Sequence, residues 1–198
     1  MPVTTTRTLP AAILREVQKA VIGKDLVLTK VLLAFLAGGH VLMEDMPGVG
    51  KTTLAMAFSK ALGLNCRRVQ FTPDVLPSDL TGFSVYEKNT GTFVFQPGAL
   101  FCHLLLADEI NRTSSKTQAA LLEAMEESNV TVEGKTYALP RPHLVIATQN
   151  PLGCVGTHSL PESQLDRFLM RLHMGYPEIQ DEVAILKGHA ARDPLEDV

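Results

Sequence analysis

The segment Met43-Glu44-Asp45-Met46-Pro47-Gly48-Val49-Gly50-Lys51-Thr52-Thr53 stands where an apolar run gives way to a helix-forming stretch. Backbone N–H groups of a glycine-rich turn, joined to those of a helix N-terminus, form a cradle for a polyphosphate. Gly48 and Gly50 allow close approach of the backbone, Lys51 suits the β- and γ-phosphates, and the Thr52 hydroxyl suits Mg²⁺. The strict pattern G-x-x-x-x-G-K-[ST] asks for glycine at position 45, where this chain has Asp45. The plain alternative is a Gly-Lys-Thr turn before a surface helix, with no ligand.

Further along, Leu104-Leu105-Leu106-Ala107-Asp108-Glu109 is an apolar run ending in two adjacent carboxylates. At the carboxyl edge of a parallel sheet, Asp108 is placed to hold Mg²⁺ through water. Glu109, pointing elsewhere, is placed to act as general base on an attacking water. Two acids at the end of a buried strand are costly unless a cation or hydrogen bonds compensate. A solvated pair of loop acids is the other reading, and the phosphate loop upstream argues against it. A guanine-reading Asn-Lys-x-Asp run is missing, which excludes the usual GTPase pattern, and a small-molecule kinase does not require the Asp-Glu pair.

The elements that must position these groups follow from periodicity. A helix is expected from near Pro10, with Ile13, Leu14, Val17 and Val21 on one stripe and Gly23 as its stop. A second, carrying Leu26, Val27, Lys30, Val31, Leu33 and Ala34, ends at Gly38-Gly39. Val41 to Met43 reads as a buried strand and Lys51 to Leu62 as a helix. Strands are expected at Arg68 to Phe71, Leu104 to Ala107, Leu144 to Ala147 and Phe168 to Leu172, separated by helix-length segments, as in a parallel sheet covered on both faces. Ser115 to Glu127 reads as a helix with Ser115 and Gln118 as its capping box. Hairpins are expected at Phe83 to Phe95, around Asn89-Thr90-Gly91, and at Val130 to Leu139, around Glu133-Gly134-Lys135. Asp181 to His189 reads as a further helix.

The bulk properties suit a soluble α/β protein: 198 residues, 45% hydrophobic, 20% charged, net charge −3. A pI near 6.1 gives no basic field for non-specific nucleic-acid binding. Cys66, Cys102 and Cys154 are dispersed and odd in number, and are expected to be buried free thiols in a reducing cytosol. No apolar run approaches the roughly 18 residues of a membrane span, and no signal core opens the chain, so a cytoplasmic location is expected.

Taken in order, these motifs resemble the AAA+ ATPases and, more narrowly, the MoxR family. The resemblance is carried by Glu44 to Thr52, Ala107-Asp108-Glu109-Ile110-Asn111-Arg112, Ala147-Thr148-Gln149-Asn150-Pro151, Leu160 to Phe168, and Gly175-Tyr176-Pro177. It implies a three-layer αβα P-loop NTPase fold with a five-stranded parallel sheet and two β-hairpin inserts. It also accounts for Asp45, since similar loops read Glu-Asp-x-Pro-Gly. Residues 1–177 are then expected to be the nucleotide-binding domain and 178–198 the start of a helical lid, whose remainder, with its sensor 2 arginine, is missing.

The roles implied by the resemblance are matched position by position. Pro47, Gly48, Val49, Gly50, Lys51, Thr52 and Thr53 would hold ATP, with Thr52 and Asp108 on Mg²⁺ and Glu109 as base. Asn150 resembles sensor 1, which orients the lytic water; otherwise it is an Asn-Pro turn starter. Arg167 resembles the arginine finger offered to a neighbouring subunit, with a surface salt bridge to Asp166 or Glu162 as the alternative and Arg171 as a competitor. Val21, Ile22 and Gly23 fall where similar proteins form the adenine pocket. Gln70 or Thr72 is a candidate to restrain Glu109. Tyr86, Phe93 and Phe95 either contact clients or pack the hairpin onto the domain. Leu152 to His158 departs from the Glu and Tyr that similar proteins carry there.

The function implied is an oligomeric, in similar proteins hexameric, ATPase that remodels client proteins, some of which carry a von Willebrand A domain. A nucleic-acid motor built on the same core is the competing class. Against it stand the acidic pI and the isolation of Lys88 and Lys135 in the hairpins, with Arg141 nearby.

Overall fold

The computed structural model describes residues 4–46, 48–150, 160–191 and 194–198. In chain order its elements are α1 (Thr4–Ala20), α2 (Asp25–Leu36), β1 (Val41–Glu44), α3 (Lys51–Ala61), β2 (Cys66–Gln70), α4 (Pro77–Thr81), β3 (Gly82–Glu87) and β4 (Thr92–Pro97). Then come β5 (Leu104–Asp108), α5 (Ser115–Glu127), β6 (Asn129–Val132), β7 (Lys135–Ala138), β8 (Leu144–Gln149), α6 (Glu162–Leu165), β9 (Met170–Leu172) and α7 (Ile179–Ala191).

Five strands form one parallel sheet in the order β2-β5-β8-β1-β9. Alternation along the central strands sends their side chains to opposite faces, and both faces are covered. Val41, Met43, Leu104, Leu106, Leu144 and Ile146 pack with Val17, Leu28, Val31, Leu54 and Phe58 from α1, α2 and α3. Leu42, Leu105, Ala107, Val145 and Ala147 pack with Leu80 of α4 and Leu121, Leu122 and Met125 of α5. The architecture is therefore the expected three-layer αβα. Among the described residues no helix is long and apolar enough to cross a membrane.

The two hairpins form as expected, each a separate two-stranded sheet. In the second, Val132 pairs with Lys135 across Glu133-Gly134, both at positive φ (51° and 76°), the backbone of a two-residue hairpin turn. In the first, Phe95 stacks on Tyr137 of β7 at 3.9 Å and meets Phe101 edge-on, while Tyr86 and Phe93 meet each other edge-on and stay exposed. Phe95 therefore packs the hairpin onto the domain, whereas Tyr86 and Phe93 face solvent.

Several sequence expectations need correction. α1 begins at Thr4, so Pro10 lies inside it rather than at its start, and there it cannot donate a backbone bond to the helix. On α2 the buried side chains are Leu28, Val31, Leu32, Ala34 and Phe35, whereas Leu26 and Leu33 face outward. β2 is an edge strand with Arg67, Arg68 and Gln70 exposed, and Phe71 lies just past it in the core. The N-cap of α5 is Ser114, whose hydroxyl accepts from Thr117 N; Gln118 donates instead to the Ile110 carbonyl. Cys66 is only half-buried, Cys102 is buried, and both are free thiols. Cys154, Pro47 and the Leu152–His158 segment lie outside the described residues.

Candidate functional site

β1, β8 and β5 lie side by side and run in the same direction, so their carboxyl ends bring the phosphate loop, residues 148–150 and the Asp108-Glu109 pair to one edge. There they line a cavity of about 440 Å³ with Asp45, Gly48, Gly50, Lys51, Thr52, Arg68 and Gln70 among its walls. The turn into α3 needs glycine twice: Gly48 and Gly50 have φ of 89° and 93°, a region that L side chains avoid.

Lys51 Nζ donates to the carbonyls of Asp45 and Met46 at 2.8 and 3.0 Å, which curls the loop around its ammonium. Burial lowers the Lys51 pKa, and Asp45, Asp108 and Glu109 partly offset that by favouring the charged form. The Asp45 carboxylate accepts from the backbone N–H groups of Met174 and Gly175 at 2.6 and 3.0 Å. A glycine there would leave both donors without this partner. Glu44, at the end of β1, bonds Gln149 and Arg171. Burial raises its pKa, but those two donors outweigh burial and hold it below the ordinary value.

Both oxygens of Asp108 are engaged. Oδ1 accepts from the Thr148 hydroxyl at 2.6 Å and Oδ2 from Arg68 Nη2 at 2.8 Å. The same hydroxyl accepts the Glu109 N–H at 2.8 Å, which ties the end of β5 to β8. Glu109 itself adopts φ 57°, ψ 49°, a left-handed conformation uncommon for a non-glycine residue and frequent at functional sites. That turn separates its side chain from that of Asp108. Gln70 Nε2 and Arg112 Nη1 both donate to Glu109 Oε2, at 2.9 and 2.8 Å, while Oε1 has no partner among the described residues.

The structure thus brings together Gly48, Gly50, Lys51, Thr52, Asp108, Glu109 and Asn150. Thr53 lies one residue further into α3, and Val49 is buried in the core. Asn150 sits at the rim, its carbonyl accepting from Asn111 Nδ2. Val21, Ile22 and Gly23 are not among the cavity's lining residues: Val21 packs in the core, and Gly23 lies against Asp181 of α7. Arg167 also stands outside the cavity and pairs with Glu126 on α5, not with Asp166 or Glu162. Arg171 is committed to Glu44. Of the two candidates to touch Glu109, Gln70 makes the contact.

Residues 40–170 match the sequence pattern of the family described as ATPase family associated with various cellular activities (AAA). The chain belongs to the AAA ATPase family. This AAA protein is 51% identical to the uncharacterized protein YeaC of Bacillus subtilis over 91% of its length. It is 42% identical to Chaperone MoxR1 of Mycobacterium tuberculosis over 90% of its length. It superposes on the crystal structure of a candidate ATPase from Cytophaga hutchinsonii with a TM-score of 0.82 and 37% identity, covering 96% of this chain and 62% of that one. The chain spans about half the length of the curated relatives, 57% of YeaC and 47% of MoxR1.

Arg68, Thr148 and Arg112 escaped the sequence reading. Each acts on an acid from another element or from a turn whose shape is unknown beforehand. The one available signal for Arg68 was an arginine two residues before Gln70 on the same face of a strand.

Proposed function

We propose that this chain is the nucleotide-binding core of an oligomeric AAA ATPase that hydrolyses ATP with Mg²⁺ and uses the cycle to remodel client proteins. The observation that carries the reading is the single cavity in which Lys51 and its glycine turn face Asp108 and Glu109 across the end of β8. The donor set fits Mg²⁺: the Thr52 hydroxyl and the Asp108 carboxylate are two hard oxygens, and Mg²⁺ prefers few protein ligands with water and phosphate completing the shell. When bound, the metal draws charge from the terminal phosphates.

Pro47, Gly48, Val49, Gly50, Lys51, Thr52 and Thr53 form the phosphate cradle, with Lys51 turning its ammonium from the loop carbonyls to phosphate oxygens. Glu109 takes the proton of the attacking water through Oε1, while Gln70 and Arg112 fix the carboxylate by its other oxygen. Asn150 orients that water. Arg167, outside its own cavity, serves the site of a neighbouring subunit, and Val21, Ile22 and Gly23 would have to receive the adenine from the rim. Residues 1–177 act as the core and 178–198 as the start of a lid. The assembly is a hexameric ring in the cytoplasm, where Cys66 and Cys102 stay reduced, and its clients include proteins with a von Willebrand A domain.

The test is the hydrolysis rate per chain as a function of protein concentration with Mg²⁺ present. A specific rate that climbs with concentration and is lost in Arg167→Ala supports sites shared between subunits. A rate that is flat with concentration and unchanged in the variant refutes them.

A further inference from the structure

Among the described residues, Arg68 is the one cation besides Lys51 in the cavity wall. It comes from the edge strand β2, where parity puts it on the same face as Gln70, the residue that holds Glu109. Its guanidinium crosses to β5, meeting Asp108 Oδ2 at 2.8 Å and Gln70 Oε1 at 3.4 Å. Half of its side-chain surface is exposed (51%), so it is not packed in place. The cation therefore sits on the carboxylate proposed to serve the metal, at the end of the cavity defined by Asp108 and Glu109 rather than at the glycine turn.

We propose that Arg68 is a phosphate-binding residue, for which Asp108 is one of two alternative anionic partners. The inference rests on the nucleotide-binding reading above. A metal drawing on Asp108 through water would share that carboxylate's charge with Arg68 and so loosen the pair. When Asp108 serves the metal, Arg68 keeps its charge and needs another anion. Glu109 already answers the cation Arg112 and Gln70 through Oε2 and keeps Oε1 for the attacking water, and the carboxylates nearest the loop belong to other partners: Asp45 to Met174 and Gly175, Glu44 to Arg171 and Gln149. The remaining anion is the terminal phosphate of the nucleotide. A planar guanidinium on a long, half-exposed stem suits that move, since it can trade one oxyanion for another without leaving the cavity. A diphosphate ends nearer the glycine turn, so the side chain discriminates ATP from ADP.

The experiment is equilibrium binding of fluorescent ATP and ADP analogues with Mg²⁺, for the parent chain, Arg68→Gln and Arg68→Lys. A charge-assisted contact is worth about 1.5–3 kcal/mol, so Arg68→Gln should weaken the ATP analogue about tenfold to a hundredfold. The ADP analogue should change less than about threefold, which also shows that the variant is folded, and Arg68→Lys should fall between. Equal loss for both nucleotides, no loss for either, or tighter ATP binding would overturn the proposal; the last would make Arg68 a mere competitor of the metal. Failure of the parent chain to bind either analogue would sink the nucleotide-binding reading itself, an outcome distinct from binding without discrimination.

Discussion

His40 makes the stability of this domain sensitive to mild acid. The residue precedes β1 and is 7% exposed. Its Nδ1 accepts the Val145 N–H at 3.1 Å, so Nε2 carries the proton and donates to the Met125 carbonyl, also at 3.1 Å. A second proton on Nδ1 would confront an N–H with an N–H. Burial pushes the pKa down to about 4; the Met125 carbonyl opposes the shift and His143, edge-on at 6.3 Å, adds to it. An unfolded histidine titrates near 6.5, so between about pH 6.5 and 4 the unfolded chain binds a proton that the folded chain refuses. A displacement of about 2.5 pH units, at ~1.4 kcal/mol each, takes about 3.5 kcal/mol from stability across that window. Above pH 7 both states are neutral and the contribution is constant. His143, whose pKa burial also lowers, adds to the slope. Urea unfolding at pH 7.5, 6.5, 5.5 and 4.5 should therefore show stability falling with pH in the parent chain. His40→Gln should flatten that slope by about one proton, whatever its offset at pH 7.5. Equal slopes in the two proteins would refute the argument, because carboxylate titration is common to both.

The remaining predictions concern the site and its support. Glu109→Gln should keep nucleotide affinity while turnover drops by about a hundredfold or more, since an amide oxygen still meets Gln70 and Arg112 but takes no proton; hydrolysis at the parent rate would show that Glu109 is not the base. Asp45→Gly, which restores the commoner phosphate-loop glycine, should cost about 2–3 kcal/mol in chemical denaturation by stripping partners from Met174 N and Gly175 N. Phe58→Ala should cost about 3–5 kcal/mol in the same assay, because the ring is fully buried and packs edge-on against Phe35.

The parts of the site that were legible in the sequence are contiguous in the chain. Gly48-Val49-Gly50-Lys51-Thr52 needs only its own backbone to form a turn, and Asp108-Glu109 needs only the strand before it. The order of the strands was not legible from spacing, and it decides which side chains answer those acids. Arg68 and Thr148 reach Asp108 because β2 and β8 flank β5. Local register failed in smaller ways too. Ser114 rather than Ser115 caps α5, a shift of one residue between adjacent serines of equal capping strength. The left-handed turn at Glu109 leaves no trace in residue type, as no glycine or asparagine marks it.

The last two residues of β8 act as a gauge block. Thr148 bonds Asp108 on one neighbouring strand and Gln149 bonds Glu44 on the other, from opposite faces of the sheet. Sliding β8 by a single residue would turn both side chains the wrong way and break both ties at once. The width between the Lys51 and Asp108 sides is therefore set by strand register. A domain built this way responds to its ligand only through the parts that can swing over a fixed frame: long side chains at the rim, the loops, and the helices hung from the strand ends.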